Sequence, residues 1–239
     1  MLSVILPVHN EAESLEKIYF HLSGILPPLE VPFEIVFVND GSTDDSSKIL
    51  KQIKEKNHVV KIINLKRSYG QSNTLQAGID NAKGEIIVTL DADLENDPRD
   101  IVHLLDKLSE GYDVVCGRRV GRPVNIKNML SALGNFVFRL AFKSPVRDMA
   151  CTLRAYKREA LEKIVLHGSL HRYLPVLLHL KGVKIAEINV SSRLRKFGRS
   201  KYGILFRGIS TLRDLFSLLF FREAVLNSKR RDYKIASIW

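Results

Sequence analysis

Two carboxylates one residue apart, Asp91 and Asp93, stand where the apolar run 86–90 gives out, and a third, Glu95, follows two residues later. Carboxylates held this close repel one another unless a cation accompanies them. As hard oxygen donors they suit a divalent cation and a phosphate-bearing ligand, a diphosphate above all. Asp-x-Asp pairs also occur in solvated loops, where they bind nothing. Here the pair ends an apolar strand and has no basic residue immediately beside it, which favours metal binding.

The elements that must hold this corner are legible as periodicity. Residues 2–7, 34–39, 61–64, 86–90 and 114–117 read as strands, and amphipathic patterns near 12–26, 45–56, 71–82 and 98–110 read as the helices between them. That alternation predicts a parallel sheet covered by helices. Ser42-Thr43-Asp44-Asp45 and Asn96-Asp97-Pro98 mark helix starts. Beyond residue 117 the pattern predicts a helix over 126–143, a strand at 153–156, a helix from Lys157, another over 170–181 and a strand at 184–190. A basic, glycine-containing loop over 193–202, a long amphipathic helix over 203–226 and a mobile basic tail from Ser228 complete the expectation.

In an open parallel sheet, ligands bind beyond the carboxyl ends of the strands. Pro7-Val8-His9-Asn10-Glu11 and Asn39-Asp40-Gly41-Ser42 fall at such ends, as does Asp91-Ala92-Asp93, so the three groups are expected to converge on one crevice. Asp40, beside a tight glycine turn, can accept hydrogen bonds from a base or ribose. The alternative is a helix N-cap, which Asp and Ser serve equally well. The chain has no Walker A loop and no Gly-x-Gly-x-x-Gly after its first strand, which counts against kinase, ATPase and nicotinamide chemistry. Metal-held nucleoside diphosphate chemistry remains.

With 239 residues, 45% of them hydrophobic, the chain can bury one substantial core, so one domain is expected. Cys116 and Cys151 match no metal-ligand spacing and read as buried thiols of a reducing compartment. The net charge of +11 is uneven: residues 1–113 contribute −8 and residues 114–239 contribute +19. A cationic second half suits phosphate, a membrane surface or another polyanion, and a basic nucleic-acid-binding module is the alternative from a different class. The first residues carry no basic lead and no long apolar segment, which reads as a cytosolic start. The apolar stretches 129–142 and 215–221 fall short of the roughly 20 residues that cross a bilayer.

Pro7-Val8-His9-Asn10-Glu11, Val38-Asn39-Asp40-Gly41-Ser42-Thr43-Asp44, Asp91-Ala92-Asp93 and Arg195-Lys196-Phe197-Gly198-Arg199-Ser200-Lys201, in that order, resemble the motifs of family 2 glycosyltransferases. Within that family the chain is most similar to the dolichyl- and polyprenyl-phosphate sugar (mannose or glucose) synthases, over roughly residues 1–205. The resemblance implies an α/β, GT-A (Rossmann-like) fold, a mostly parallel sheet with helices on both faces, plus a C-terminal amphipathic helix. It implies a nucleotide-sugar donor, GDP-mannose or a UDP-sugar, with Mg²⁺ or Mn²⁺ and inversion at the anomeric carbon. Carried over by residue, Pro7, His9, Glu11 and Asp40 line the nucleoside pocket, His9 standing where tyrosine is common. Asp91 and Asp93 frame the diphosphate and, with Glu95, serve as metal ligands. Arg195, Ser200 and Lys201 match a loop that closes over phosphates and offsets charge on the leaving group. Asp148 matches an aspartate near the reacting centre, with Asp93 and Arg119 as its catalytic companions; a structural ion pair is the plain alternative for Asp148.

A sugar hydroxyl acceptor needs a base, whereas a phosphate monoester, with a second pKa of about 6, is already dianionic near neutral pH and needs cations to hold it. Arg119, Arg122, Ser131, Arg139 and Arg154 are the expected acceptor-phosphate residues, with Lys127 and Arg147 nearby. Residues 128–131 and 136–138 offer apolar surface to an isoprenoid tail, unless this is an ordinary amphipathic helix packed on the core. His171-Arg172 either reaches the same pocket or is structural. The expected division is a catalytic domain over 1–205, with a nucleotide-sugar half (1–113) and an acceptor half (114–205), and a membrane-associating segment over 206–239. The expected partners are a nucleotide-sugar donor, a polyprenyl phosphate lipid, the cytoplasmic face of a membrane and a membrane-anchoring subunit, and no nucleic acid. A family 2 transferase acting on a saccharide or other hydroxyl is the alternative.

Overall fold

The computed structural model describes residues 1–121, 126–192, 215–216, 218–220, 222–228 and 231–239, with the side chains of residues 126–128, 130, 131, 222 and 223 outside it. Four strands, β1 (Leu2–Val8), β2 (Phe33–Asn39), β3 (Val60–Leu65) and β4 (Ile86–Thr89), are rich in Val, Ile, Leu and Phe and almost wholly buried, as strands covered on both faces must be. They pair in parallel, β4 and β2 flanking β1, and β3 flanking β2. The helices that return the chain are α1 (Ala12–Ile25), α2 (Ser46–Lys56), α3 (Gln71–Asn81) and α4 (Asp100–Ser109).

The second half extends the sheet. β5 (Val114–Val120), β6 (Arg154–Lys157) and β7 (Ile185–Ser191) join it so that the order is β7-β5-β6-β4-β1-β2-β3-β8, where β8 is Ile235–Ile238. β6 runs antiparallel between β4 and β5, and β8 runs antiparallel on β3. Both faces are covered. Leu15, Ile18 and Leu22 of α1, Leu50 and Ile53 of α2, and Ile101, Leu104 and Leu108 of α4 pack on Val4, Leu6, Phe37, Ile62 and Val88. On the other face α3, through Leu75, Ala77 and Ile79, meets Ile5, Val36, Val38 and Ile63, joined by α5 (Ile126–Phe142) through Phe138 and Phe142.

Two expectations are corrected. The tail expected to be mobile folds back: Ile235–Ile238 pairs with β3, while Arg231 Nε and Tyr233 Oη both donate to Asp80 Oδ2 at the end of α3, at 2.7 and 2.6 Å. The helix expected over 170–181 is a 3₁₀ turn, Leu170–Arg172, followed by α7 (Leu174–Leu180). Pro175 has no N–H to give the carbonyl of His171, four residues back, so a continuous helix would lose that bond. The carbonyl is taken instead by Arg154 Nη1 at 2.9 Å. The helix expected from Lys157 is short, α6 (Arg158–Leu161).

Candidate active site

The ends of β1 and β2 are laced together by side chains that sequence alone assigns to capping. Asn10, at φ 58°, donates its N–H to Ser42 Oγ, and its Oδ1 accepts the N–H of Thr43 at 2.8 Å. The first N–H groups of α1 have no helical partners of their own. Glu11 N–H goes to Ser46 Oγ at 3.0 Å and Ala12 N–H to Asp44 Oδ2 at 3.1 Å, so the β2–α2 loop caps the neighbouring helix. His9 Nδ1 donates to the Asp40 carbonyl at 2.7 Å, which fixes the imidazole beside Pro7 at the strand ends.

Asp40 is engaged within the protein. Its carboxylate, 5% exposed, accepts bonds from Ser68 Oγ (2.8 Å), Tyr69 N (2.7 Å) and Gly70 N (3.0 Å). It thereby ties the β3–α3 loop to the crevice, and among the described residues it makes no capping bond to α2. Gly41 makes the tie possible: at φ +60°, a Cβ there would lie 2.6 Å from both the Arg67 carbonyl carbon and the Ser68 nitrogen. The loop it admits delivers Gln71, whose Nε2 donates to Asp91 Oδ1 at 2.8 Å. No motif in the sequence singles out Gln71, although β3 ends at the same edge of the sheet as β1, β2 and β4 and the strand-end rule covers it equally.

At the acidic corner, Asp93 is 5% exposed and its Oδ1 accepts the N–H of Glu95 at 3.0 Å. Leu94 between them takes φ 60°, which turns the chain sharply. Glu95, expected to ligate metal, is drawn aside: its Oε1 is 2.8 Å from Arg119 Nη1. Among the described residues no three His, Cys, Asp or Glu side chains converge on a metal-sized gap. The donor set that remains, Asp91 and Asp93, fits a hard cation that takes most of its ligands from phosphate oxygens and water, the habit of Mg²⁺ and Mn²⁺, and does not fit an all-protein cage.

Arg119 is the brace of the site. Its Nε and Nη2 reach Asp148 Oδ2 and Oδ1 at 2.8 and 2.9 Å, and its backbone N–H adds a third bond to Oδ2 at 3.2 Å. Its side chain is 6% exposed, against 12% for Asp148. Burial works against the guanidinium charge, and the Asp148 and Glu95 carboxylates more than offset it, so the group is held charged at any pH the fold survives. With Nε, Nη1 and Nη2 each making a bond, Arg119 orients Glu95 and Asp148 here. Arg118 and Glu187 flank this pair, and Glu187 Oε1 accepts the N–H groups of Arg147 and Asp148.

Arg154, the other expected phosphate ligand, is a strut. It is 3% exposed, and Nη2 donates to the Met149 carbonyl at 2.6 Å besides the His171 bond from Nη1. Among the described residues its Nε has no hydrogen-bond partner. Arg154, His171, Thr152, Pro7 and Asp91 share a cavity of about 10 Å³, room for one water at most. His171 takes the structural alternative: Nδ1 pairs with Ser72 Oγ at 2.8 Å, and burial, with Arg172 and Arg154 adding, brings its pKa down to about 3. Cys116 and Cys151 are buried and free, pushed up to about 12 by burial, as inert thiols are.

Arg139 is exposed on α5. That helix has two apolar faces. Phe138 and Phe142 turn inward, Phe138 stacking on Tyr173 at 4.3 Å, which removes Phe138 from the surface offered to a lipid tail. Opposite them, at helical spacing, Met129 (61% exposed), Leu133 (58%), Phe136 (57%) and Leu140 (72%) form an outward stripe. Arg122, the side chains of Lys127 and Ser131, the loop with Arg195, Ser200 and Lys201, and most of the expected helix over 203–226 lie outside the described residues.

Residues 3–165 match the model of the glycosyl transferase family 2. The undecaprenyl-phosphate 4-deoxy-4-formamido-L-arabinose transferase of Proteus mirabilis is 36% identical over 220 residues, which cover 91% of this chain and 67% of the relative. Among solved structures, mannosyl-3-phosphoglycerate synthase from Rubrobacter xylanophilus superposes with a TM-score of 0.76 at 16% identity, covering 96% of this chain and 77% of that one. Glucosyl-3-phosphoglycerate synthase from Mycobacterium tuberculosis, in complex with Mn²⁺, UDP and phosphoglyceric acid, does so with a TM-score of 0.68 at 18% identity, covering 100% and 86%. The solved structures speak for the fold, which is the mostly parallel, Rossmann-like GT-A fold. With the family's model matching more than half of the chain and a curated relative agreeing along 91% of it, the chain belongs to glycosyl transferase family 2, in its polyprenyl-phosphate sugar transferase-like branch.

Proposed function

We propose that the protein transfers a sugar, with inversion, from a nucleoside diphosphate sugar to a polyprenyl phosphate at a membrane surface, with Mg²⁺ or Mn²⁺ at the Asp91–Asp93 corner. The observation that carries the acceptor half of this reading is the outward stripe of α5, an apolar surface of the kind that meets a lipid phase. The curated relatives are named for undecaprenyl phosphate and 4-deoxy-4-formamido-L-arabinose, which supports a bacterial-type polyprenyl acceptor and gives no support to mannose or to dolichol. Structural neighbours that hold Mn²⁺ with UDP or with GDP-mannose support a divalent cation and a nucleoside diphosphate donor.

When bound, the cation offsets the charge of the departing diphosphate. The chain's own part is positional. Asp91, set by Gln71, and Asp93, set by the Glu95 N–H, hold the donor end, while the second half of the chain, with its net +19, draws in the acceptor. A phosphate oxygen of the acceptor forms the new bond to the anomeric carbon as the bond from that carbon to the donor phosphate oxygen breaks, its electron pair leaving with the nucleoside diphosphate. No side chain has to take a proton, since the acceptor is ionised before it arrives.

Among the described residues no helix is long and apolar enough to cross a membrane. The proposal attaches the protein through α5 to a cytoplasmic membrane face, with the catalytic domain of residues 1–205 completed by β8 from the tail, the segment between them adding to the attachment, and an anchoring subunit as an optional partner. The test is product mass: the protein, Mn²⁺, a short polyprenyl phosphate and a panel of UDP- and GDP-sugars. A lipid-linked sugar phosphate is expected with one class of donor, and no product with any donor would overturn the reading.

A further inference from the structure

Glu187 stands on β7, opposite Cys116 in register with β5. Among the described residues its hydrogen bonds go to two backbone N–H groups, Arg147 at 2.7 Å and Asp148 at 2.9 Å, both on Oε1. This is an expensive use of a carboxylate. Burial raises its proton affinity and the neighbouring Asp148 charge adds to that, with the two N–H bonds and Arg118 opposing. A residue chosen only to fill the position would be apolar or neutral.

What the bonds fix is the turn that presents Asp148. From there the contacts run without a gap to the donor corner: Asp148 to Arg119 through both carboxylate oxygens, Arg119 Nη1 to Glu95 Oε1, and Glu95 N–H to Asp93 Oδ1. Asp148 Oδ1 also accepts the N–H of Ala150 at 3.2 Å, so its orientation is set from the peptide on either side of it. If the turn at 147–148 relaxes, Asp148 loses the angle at which two oxygens meet two guanidinium nitrogens, and Arg119 loses its fixed reach to Glu95.

We infer that Glu187 is a positioning residue, holding the 147–148 turn so that Asp148 and Arg119 keep the Asp93 loop in its working shape. The inference rests on the transferase reading above. Its test uses the full chain with Glu187→Ala, Glu187→Gln and Asp148→Asn, assayed with Mn²⁺, a short polyprenyl phosphate and the active donor. Glu187→Ala is expected to lower kcat by about tenfold with donor KM within about threefold, the size of effect that an orienting residue behind the reacting groups has. Glu187→Gln, whose amide oxygen accepts the same two N–H bonds, is expected to recover kcat to within about threefold. Adding Glu187→Ala to Asp148→Asn is expected to cost little more than Asp148→Asn alone, because the relay is already cut.

Crystal structures of wild type, Glu187→Ala and Glu187→Gln give a readout that needs no turnover: Arg119 leaves Asp148 or Glu95 in the alanine variant and keeps both in the glutamine variant. If wild type transfers no sugar, the transferase reading fails and the position of Arg119 still decides this one. An unmoved Arg119, an alanine variant with full kcat, equal losses in the alanine and glutamine variants, or full additivity with Asp148→Asn each overturns it. If the alanine variant does not fold, Glu187→Asp, which draws the acceptor back by one methylene, is judged by the same outcomes.

Discussion

Asp148→Ala is the perturbation whose cost the structure fixes most closely. The aspartate gives Arg119 two side-chain bonds at 2.8 and 2.9 Å and a backbone bond at 3.2 Å, in a place where the arginine side chain is 6% exposed. Surface ion pairs are worth about 0–1 kcal/mol, whereas removing one partner of a buried pair costs about 3–5 kcal/mol because the other charge is stranded. Glu95 remains on Nη1 at 2.8 Å, so the expected loss lies at the lower end, about 3 kcal/mol. That is a large share of the roughly 5–15 kcal/mol that holds a domain together. Urea denaturation at pH 7 measures it as a fall in midpoint at unchanged slope. Arg119→Met in the Asp148→Ala background takes the stranded charge away and should recover about 2 kcal/mol of stability, with sugar transfer staying low. A loss below about 1 kcal/mol, or a double variant no more stable than Asp148→Ala, would refute the description of Arg119 as a buried, clamped cation.

Other consequences are as direct. Gly41→Ala puts a Cβ against the Arg67 and Ser68 backbone at a left-handed position, and should cost at least about 2 kcal/mol of stability, read by urea denaturation. His171 is held neutral in the fold with its pKa near 3, while the unfolded chain takes up a proton near 6.5. Its contribution is therefore complete above pH 6.5 and is lost as pH falls from there toward 3, by up to about 1.4 kcal/mol per unit; His171→Gln should flatten the slope of stability between pH 7 and 5, and equal slopes would contradict the assignment. Leu133→Gln, Phe136→Gln and Leu140→Gln together should leave the melting temperature within about a degree or two yet weaken co-sedimentation with anionic vesicles at least tenfold, since each is exposed in the protein and each would bury apolar surface in lipid. Unchanged vesicle binding would remove α5 from the membrane contact.

How much was legible in the chain follows the range of the forces involved. β1 to β4 and the helices between them are set by local periodicity, and the motifs at their ends are placed by the sheet rule, so the crevice and its acidic corner are readable from residues 1–113. What sequence misses is contact between distant residues. Glu95 sits on Arg119, 24 residues on, and Asp40 is spent on a loop 28 to 30 residues away, because buried carboxylates bind the nearest donors the fold supplies. The 170–181 pattern is periodic enough for one helix, and the Pro175 break becomes decisive only once Arg154 is there to take the freed His171 carbonyl. Ile235–Ile238 carries too few residues to announce a strand among basic neighbours. It forms one because β3 presents an open edge and because Asp80 fixes Arg231 and Tyr233 just before it. α5 reads equally well as a core helix or a lipid-facing one, and it is both, on opposite faces.

The central claim is that the acidic corner holds a metal-bound donor while the acceptor arrives as a phosphate and needs no base. The most direct measurement supplies the same short prenyl chain as the phosphate and as the alcohol, with Mn²⁺ and the active nucleotide sugar, and weighs the products of wild type and Asp93→Asn. The account predicts a sugar phosphodiester from the phosphate alone, and from wild type alone. Transfer to the alcohol at a comparable rate, or undiminished transfer by Asp93→Asn, would contradict it.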